Sequence, residues 1–285
     1  MTRLKIAIQK SGRLYDDSVR LLKECGIELN NGINKLKADA YNFPIEVFFL
    51  RDDDIPEYVA NGVADVGIVG ENVLEETNSD VKIVDRLGFG KCRLSLAIPK
   101  GKKYSGPEYF NGKRIATTYK SILKKFLKKA KIDAEVHEIS GSVEIAPGIG
   151  LADGIFDIVS SGSTLFMNGL KEVETVMKSE AVLVANKQLS DAQEQIIERL
   201  LFRIRSVRKA KSNKYILLNA PNDKLDQIVK LLPGMKSPTI LPLAEKGWSS
   251  VHSVLHEDEF WHIIERLKEN GAQGILVVPI EKMIV

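Results

Sequence analysis

Cysteine and long apolar runs are both scarce in this sequence. Its 285 residues include two cysteines, Cys25 and Cys92, which are too few for a disulfide framework and lie outside any metal-like cluster with histidine. No run of about 18 apolar residues occurs, so the sequence predicts no membrane span. The first segment, "MTRLKIAIQKSGR", has too short an apolar stretch for a signal peptide. These absences favour a cytoplasmic protein.

A strong charge imbalance is also missing. Lysine and arginine number 41 against 38 aspartate and glutamate residues, which leaves a formal charge of +3. This balance argues against nucleic-acid and membrane partners but leaves room for a local anion site. The lysine-rich segment 120–132 predicts an amphipathic helix with a solvated charged face. The histidines have no metal-site spacing; they are His137, His252, His256 and His262.

Short apolar strands alternate with amphipathic helices over most of the chain. Strands are predicted at 4–8, 45–50, 64–70, 87–101 and 181–185, and helices at 16–26, 55–62, 120–132 and 190–211. This alternation is typical of an α/β fold with a largely parallel sheet. At roughly 150 residues per domain, the length predicts two or three domains.

The pattern changes near residue 212. A strand, a helix, two strands around a glycine turn, a second helix and a last strand follow one another there. This β-α-β-β-α-β order is typical of ferredoxin-like domains. The sequence therefore predicts a separate α+β domain over 212–285.

A fourteen-residue pattern occurs twice in the α/β part. The segment "NGVADVGIVGENVL" (61–74) aligns without gaps on "DGIFDIVSSGSTLF" (153–166), which pairs Asp65 with Asp157 and Gly70 with Gly162. Two similar lobes are implied, although chance or convergence remains an alternative for so short a match.

The second copy has the composition of an anion-binding loop. Hydroxyl residues and a glycine follow its apolar strand, and backbone amides in such a loop can bind phosphate. Asp157 lies inside the strand, where an unpaired carboxylate is costly unless it meets a partner or a ligand such as sugar hydroxyls. The alternative is an ordinary helix start, in which Ser163 or Thr164 caps the first turn.

Four segments in order resemble the ATP phosphoribosyltransferase family. They are "QKSGRL" (9–14), "RDDDIPEYV" (51–59), "ADVGIVGENVLEE" (64–76) and "EIAPGIGLADGIFDIVSSGSTL" (144–165). The C-terminal "SPTILPL" and "GWSSVHSVL" resemble the regulatory domain of the family's long form. The resemblance covers essentially the whole chain. It implies a two-lobed, periplasmic-binding-protein-like α/β catalytic core followed by a ferredoxin-like (ACT-like) α+β regulatory domain.

The resemblance also implies an activity. Family members transfer the phosphoribosyl group of phosphoribosyl pyrophosphate (PRPP) to N1 of the adenine of ATP and release pyrophosphate, the first step of histidine biosynthesis. It further implies Mg²⁺ bound through substrate phosphates with no fixed metal site, feedback inhibition by L-histidine, and homo-oligomers that are dimers or hexamers. The lobes are expected at 1–88 with 184–211 and at 89–183, and the histidine-binding domain at 212–285.

Site residues follow from the matching motifs. The 5′-phosphate of PRPP is expected at Ser160, Ser161, Gly162, Ser163 and Thr164. The family loop commonly reads S-T-G-A-T, so this chain departs from it at Ser161 and Ser163 and keeps small side chains at both. The ribose hydroxyls are expected at Asp157, with Asp153 or Glu144 near.

The remaining candidates are cations and an allosteric pair. Lys10, Arg13 and Arg51 are expected to stabilise the pyrophosphate and the ATP triphosphate, since each follows a predicted strand. Taken singly, each could be a surface charge. ATP is also expected at Arg13 and Glu71, although Glu71 could instead cap a helix. Histidine is expected at Thr239 and Ser253, which could instead be strand residues of an oligomerisation module.

Two other functional classes remain open on sequence alone. A non-catalytic two-lobed binding protein is expected to have a signal peptide or a lipoprotein cysteine, and neither is recognisable here. A nucleotide-dependent regulator is expected to have a DNA-binding motif, and none is recognisable either.

Overall fold

The described residues form three β-sheets, which are distributed over two structural units. The computed structural model describes residues 2–30, 36–232 and 234–284, and its units are Met1–Glu198 and Arg199–Val285. The division falls within the long helix Asp191–Lys211. Both predicted lobes fall almost entirely within the first unit, and the predicted domain limits stay predictions.

The first sheet has six strands. They are β1 (Leu4–Gln9), β2 (Lys37–Asp39), β3 (Ile45–Leu50), β4 (Val66–Gly70), β5 (Lys82–Arg86) and β11 (Ala181–Ala185), in the order β2-β3-β1-β4-β11-β5. The helices in this part of the chain are α1 (Arg13–Glu24), α2 (Ile55–Ala60) and α3 (Glu71–Thr77). Every second residue of β3 is buried, as expected for a strand that alternates between two faces.

The second sheet has five strands. They are β6 (Cys92–Pro99), β7 (Arg114–Thr117), β8 (Glu135–Glu138), β9 (Gly154–Val159) and β10 (Leu170–Ser179), in the order β10-β6-β9-β7-β8. Helices α4 (Lys120–Ala130) and α5 (Ser163–Met167) belong to this part. Helix α4 buries Ile122, Leu123 and Leu127 in a core with Leu94 and Phe156. Its lysines stay exposed or half-buried, as the amphipathic pattern predicts.

The prediction of a largely parallel sheet is wrong. In the first sheet β1 is parallel to β3 and β4, whereas β11 is antiparallel to both β4 and β5. In the second sheet β7 is parallel to β8 and β9, whereas β6 is antiparallel to β9 and β10. The chain enters β11 after passing through the whole second sheet, so β11 returns in the opposite direction. Apolar periodicity identifies strands but contains no information on such a return.

The second unit matches the predicted element order. Helix α6 (Asp191–Lys211) leads into β12 (Asn213–Pro221), α7 (Leu225–Leu231), β13 (Thr239–Pro242), β14 (Trp248–His256), α8 (Glu257–Glu269) and β15 (Gln273–Pro279). The four strands form an antiparallel sheet in the order β13-β14-β12-β15, which is the ferredoxin-like arrangement. The core between this sheet and helices α7 and α8 contains Ile216 and Val251 from the strands and Ile228 and Phe260 from the helices. None of the described helices is long and apolar enough to cross a membrane.

Candidate functional site

The two copies of the repeated pattern fold differently at one point. Helices α3 and α5 begin at equivalent positions, and a glycine, Gly70 or Gly162, precedes each of them. Strand β4 runs directly into Gly70, whereas β9 ends at Val159. Three residues, 160–162, therefore form a loop in the second copy that the first copy does not have.

Backbone conformation and side-chain contacts hold this loop. Gly162 has a φ of +82°, a left-handed conformation that favours glycine. The Oγ atoms of Ser161 and Ser163 lie 2.9 Å apart. Arg93 on β6 donates from Nη1 to the carbonyl oxygen of Ser160 at 3.1 Å. The loop is thus fixed at both its ends while its hydroxyl side chains stay exposed.

Asp157 lies three residues before the loop in a half-buried position on β9. Its Oδ1 accepts a hydrogen bond from the amide of its own neighbour, Ile158, at 2.8 Å. Burial is the main cause that raises the pKa of Asp157 to about 6; the Ile158 amide opposes this rise, and the carboxylate of Glu144 adds to it. An acidic group held in this way is poised to gain from hydroxyl donors or a cation.

Asp153 lies apart from the loop. It precedes β9, whereas Ser160 follows it, so the six residues of the strand, about 20 Å at 3.3 Å each, separate them. Asp153 accepts hydrogen bonds from the amide of Arg114 at 3.0 Å and from its Nε at 3.3 Å. These bonds hold the pKa of Asp153 below its usual range. The structure therefore brings Asp157 and Glu144 together and excludes Asp153 from the group.

The predicted cations gather at one edge of the first sheet. Lys10 and Arg51 follow the adjacent parallel strands β1 and β3, and the Lys10 amide donates to the carbonyl of Leu50 at 2.8 Å. Arg13 begins α1 and donates from Nη1 to Ser160 Oγ at 3.2 Å. An arginine from helix α1, which follows the first strand of the first sheet, thus contacts the loop of the second sheet. Both Lys10 and Arg51 are exposed.

Glu71 is the first residue of α3 and not its cap, because Gly70 occupies the cap position. Both of its carboxylate oxygens accept hydrogen bonds from the guanidinium of Arg86. Its amide donates to the carbonyl of Glu180 at 3.0 Å. Any role of Glu71 in ATP binding must therefore be compatible with its pairing to Arg86.

A cavity of about 420 Å³ lies beside the loop. Its lining consists of Glu71, Arg86, Lys91, Cys92, Arg93, Ser160, Lys178, Ser179 and Glu180. Sequence reasoning found Glu71 and Ser160 but missed the four cations. The basic residues that flank the strand in "KCRLSL" are a signal for two of them, whereas Lys178 joins the group only through the pairing of β10 with β6.

Helix α3 also contacts the second sheet's helix α4. The side-chain amide of Asn72 donates to Tyr119 Oη at 3.1 Å. The carboxylate of Glu76 accepts from the amides of Ser121 at 2.8 Å and Ile122 at 3.0 Å. This α3–α4 contact lies beside a second cavity, of about 480 Å³, whose carboxylates are Asp52, Asp53, Glu76 and Glu138. Burial raises the pKa of Asp53.

The predicted histidine contacts lie on opposite faces of the sheet in the second unit. Thr239 pairs with His252 on β14, so these two side chains share a face. Ser253, the next residue, points to the face that Val251 and Leu255 bury in the core. Ser253 is buried, and its Oγ has no hydrogen-bond partner among the described residues. One ligand on one face cannot touch both side chains within a single domain.

No cluster of three or more metal-binding side chains occurs in the part of the chain that the structure describes. Asp157 and Glu144 are nevertheless close enough for one carboxylate to shift the pKa of the other. Such a pair is chemically suited to a divalent cation that obtains its other ligands from phosphate and water.

Comparison with known proteins agrees with the sequence resemblance. The family model "HisG: ATP phosphoribosyltransferase" matches residues 51–206, and "HisG, C-terminal domain" matches 210–282. ATP phosphoribosyltransferases of Cytophaga hutchinsonii and Bacteroides thetaiotaomicron are each 60% identical and cover 99% of this chain, which spans 99% and 100% of their lengths.

Solved structures give the same result. A chain of the ATP phosphoribosyl transferase (HisG:HisZ) complex from Thermotoga maritima has a TM-score of 0.62 and 29% identity, covering 71% of this chain and 96% of that chain. A histidine kinase sensor domain with similarity to periplasmic binding proteins has a TM-score of 0.50 at 11% identity over 73% of this chain and 90% of that chain, which supports the fold alone. The predicted fold class is confirmed, and the chain belongs to the ATP phosphoribosyltransferase family, whose members are pentosyltransferases.

Proposed function

We propose that this chain transfers the phosphoribosyl group of PRPP to N1 of the adenine of ATP, giving phosphoribosyl-ATP and pyrophosphate as the first step of histidine biosynthesis. The observation that supports this most is the combination of Asp157 with the hydroxyl-rich loop at one strand end. The carboxylate is ionisable, half-buried and without a cation partner among the described residues. PRPP presents hydroxyls and a phosphate at matching positions along its ribose.

The substrate groups are assigned by their chemistry. The loop from Ser160 to Thr164 binds the 5′-phosphate through its amides and hydroxyls. Arg13, which already donates to Ser160 Oγ, adds a positive charge at this phosphate. Asp157 accepts hydrogen bonds from the ribose hydroxyls, with Glu144 beside it. Asp153 is left out because it pairs with Arg114 at the far end of β9.

The reaction needs no catalytic base in this scheme. The lone pair of adenine N1 forms the new bond to C1 of the ribose, and the C1–O bond breaks with its electron pair leaving on pyrophosphate. N1 has no proton to lose, so the task of the protein is to align the two substrates and to stabilise separated charge. Lys10 and Arg51 are proposed to face the departing pyrophosphate, and their positions after adjacent parallel strands support this assignment.

Mg²⁺ is proposed to arrive bound to substrate phosphates, because this small cation keeps several waters and favours phosphate oxygens. Its contribution when bound is positive charge at the leaving pyrophosphate. The carboxylates of Asp157 and Glu144 are the residues that fit a contact to it, since they already lie within electrostatic reach of each other.

A direct product assay tests the proposed reaction. The purified chain is mixed with ATP, PRPP and Mg²⁺, with pyrophosphatase added to remove pyrophosphate, and N1-substituted phosphoribosyl-ATP is sought by mass spectrometry. Omission of PRPP or of Mg²⁺ serves as the control. Binding of both substrates without product would contradict the proposal and favour a protein that only binds its ligands.

The second unit is proposed to bind L-histidine between neighbouring subunits of a cytoplasmic homo-oligomer, a dimer or a hexamer. Because Thr239 and Ser253 point to opposite faces of their sheet, we expect substitution of only one of them to relieve inhibition. Histidine should inhibit without competing with PRPP, which initial rates at several PRPP concentrations will test. Equal inhibition of the wild type and of both variants, Thr239→Ala and Ser253→Ala, would remove these residues from the histidine site.

A further inference from the structure

Strand pairing places two cations side by side at the wall of the cavity next to Ser160. Strand β6 is antiparallel to β10, and in this register Arg93 lies opposite Lys178 while Cys92 lies opposite Ser179. Directly opposite residues have Cβ atoms roughly 4.5–5.5 Å apart, and like charges in such a pair destabilise a sheet. The fold therefore keeps an electrostatically unfavourable pair at this position.

Both arginines of the cavity already have carboxylate partners. Arg93 donates from Nε and Nη2 to the two oxygens of Glu172 and from Nη1 to the carbonyl oxygen of Ser160. Arg86 donates to both oxygens of Glu71. These planar guanidinium pairs have fixed geometry, so the arginines form walls of the cavity and leave little unpaired charge to a ligand.

The two lysines are different. Lys91 and Lys178 are exposed, and within residues 2–30, 36–232 and 234–284 no carboxylate lies within 4.0 Å of either ammonium group. Four cations line the cavity against the carboxylates of Glu71 and Glu180, and Glu172 pairs with Arg93, so one positive charge is left in excess. An anion is the counter-charge that this excess favours.

We propose that Lys91 and Lys178 bind a polyphosphate group in this cavity, next to the loop that binds the 5′-phosphate. The assignment rests on the proposed function, which supplies two polyphosphates, the pyrophosphate of PRPP and the triphosphate of ATP. Ammonium groups on flexible stems suit a ligand that enters and leaves on each turnover. The cavity, at about 420 Å³, lies within the size range of small-molecule sites.

The test is a pyrophosphate titration of single variants. Inorganic pyrophosphate is titrated by calorimetry into the wild type, Lys91→Gln and Lys178→Gln, and orthophosphate is titrated as a probe of the loop. We expect each variant to weaken pyrophosphate binding about three- to tenfold, and the wild-type affinity to fall as salt is raised. Orthophosphate affinity should change less than twofold.

Two further variants control for folding and net charge. Lys178→Arg keeps the charge and is expected to keep most of the pyrophosphate affinity. Lys124→Gln removes an exposed lysine from helix α4, changes the net charge equally, and should leave binding unchanged. Pyrophosphate affinity that is equal in the wild type, Lys91→Gln and Lys178→Gln would overturn the proposal. Equal losses for pyrophosphate and orthophosphate would overturn it too, since they indicate a general charge effect.

The source of the polyphosphate is read from competition kinetics. If pyrophosphate competes with PRPP and the lysine variants raise the KM for PRPP, the cavity holds the pyrophosphate of PRPP. If it competes with ATP and the variants raise the KM for ATP, the cavity holds the triphosphate. Lysine-dependent pyrophosphate binding by a wild type that makes no phosphoribosyl-ATP would contradict the proposed reaction and still support an anion site at these lysines.

Discussion

Asp65 and Asp157 occupy equivalent positions in the two copies of one sequence pattern, yet the fold uses them differently. Asp65 is buried, and its oxygens accept hydrogen bonds from the Lys5 amide and from Gln193 Nε2, each at 2.7 Å. Within the described parts of the chain, the Asp157 carboxylate accepts a hydrogen bond from the adjacent amide of Ile158 alone. The first carboxylate is satisfied by the fold, and the second is left for a ligand.

The segments that follow the two aspartates also differ: the first stays paired in its sheet until a helix begins, and the second leaves its sheet earlier. Strand β11 pairs with all five residues of β4, so β4 stays in the sheet until helix α3 begins. Strand β6 pairs with β9 only as far as Val159, and Arg93 then binds the next carbonyl, that of Ser160. The loop thus begins where the β6–β9 pairing ends, three residues before helix α5. Duplicated sequence patterns therefore identify where a site can form, and their pairing partners decide which copy forms it.

Exchange of each carboxylate for an amide is expected to give the largest contrast. Asp157→Asn should lower kcat/KM for PRPP at least tenfold, because charge-assisted hydrogen bonds contribute roughly 1.5–3 kcal/mol. Asp65→Asn should instead lower the melting temperature, because its amide would face the Gln193 donor, with no selective effect on PRPP. Initial rates and thermal melts of both variants measure this contrast.

The pH dependence of the free energy of unfolding provides a further test of the difference between Asp157 and Asp65. The pKa of Asp157, about 6 in the folded protein against 3.8 ordinarily, means that the native state binds its proton more tightly than the unfolded chain. The free energy of unfolding therefore decreases as the pH rises from 3.8 to about 6. Above this range the ionised carboxylate of Asp157 lowers the free energy of unfolding by on the order of 1–3 kcal/mol. Asp157→Asn removes this cost and should raise the melting temperature at pH 7.5. A lower melting temperature with equal losses for ATP and PRPP would indicate misfolding instead.

The pH profile of the wild type provides the second prediction. If ionised Asp157 binds the ribose hydroxyls, kcat/KM for PRPP should fall by up to tenfold per pH unit below about 6. The phosphate of PRPP also titrates near pH 6, with a second pKa of about 6. Asp157→Asn separates the two causes: its residual activity should lack the acidic limb, whereas a limb caused by the substrate phosphate would persist.

The positions of the strands and the order of elements in the second unit were largely predictable from the sequence. The lining of the site depends on which strands pair and in which register, and the sequence does not show this. Apolar alternation located β1, β3, β4 and β9, and the ferredoxin-like order of the second unit is confirmed. The sequence motif named Asp153 or Glu144 as the neighbour of Asp157. In the structure Glu144 contributes to the raised pKa of Asp157, whereas Asp153 precedes β9 and pairs with Arg114. Proximity in sequence does not reveal that a strand separates its two ends. The roles of these carboxylates stay predictions. Lys178 was missed because its approach to Ser160 depends on the β6–β10 register.

The two helix-initiating glycines provide the third prediction. Gly162→Ala places a side chain at a φ of +82°, which costs about 1–2 kcal/mol, while the new Cβ makes only an ordinary van der Waals contact with Val159 Cγ1 at 3.9 Å. We expect a several-fold loss of PRPP affinity by calorimetry. Gly70→Ala has a permitted φ of −69°, but its Cβ would lie 2.4 Å from Asn72 Oδ1. That change should displace Asn72 and lower the melting temperature. Interchanged phenotypes would contradict the assignment of the loop to the second copy.

The smallest expected effect concerns the helices that follow the two copies. Helix α3 supplies Glu76 as the acceptor for the first amides of α4, whose own cap residue, Tyr119, forms no side-chain capping bond. Glu76→Ala should therefore lower the free energy of unfolding by about 0.5–2 kcal/mol, the usual range for a lost cap.

Glu75→Ala, which removes only an exposed ion pair with Lys125, should lower the free energy of unfolding by about 0–1 kcal/mol and is the matched control. Denaturant titration measures both variants. The first amide of α5 donates instead to Ser161 Oγ, at 3.4 Å, within its own loop. Alanine at the exposed Thr164 leaves this bond in place, so it should leave stability nearly unchanged and affect PRPP binding alone. If Glu76→Ala lowered the free energy of unfolding no more than Glu75→Ala, the Glu76 carboxylate would not stabilise the contact between α3 and α4. The two copies would then differ only in the loop at residues 160–162.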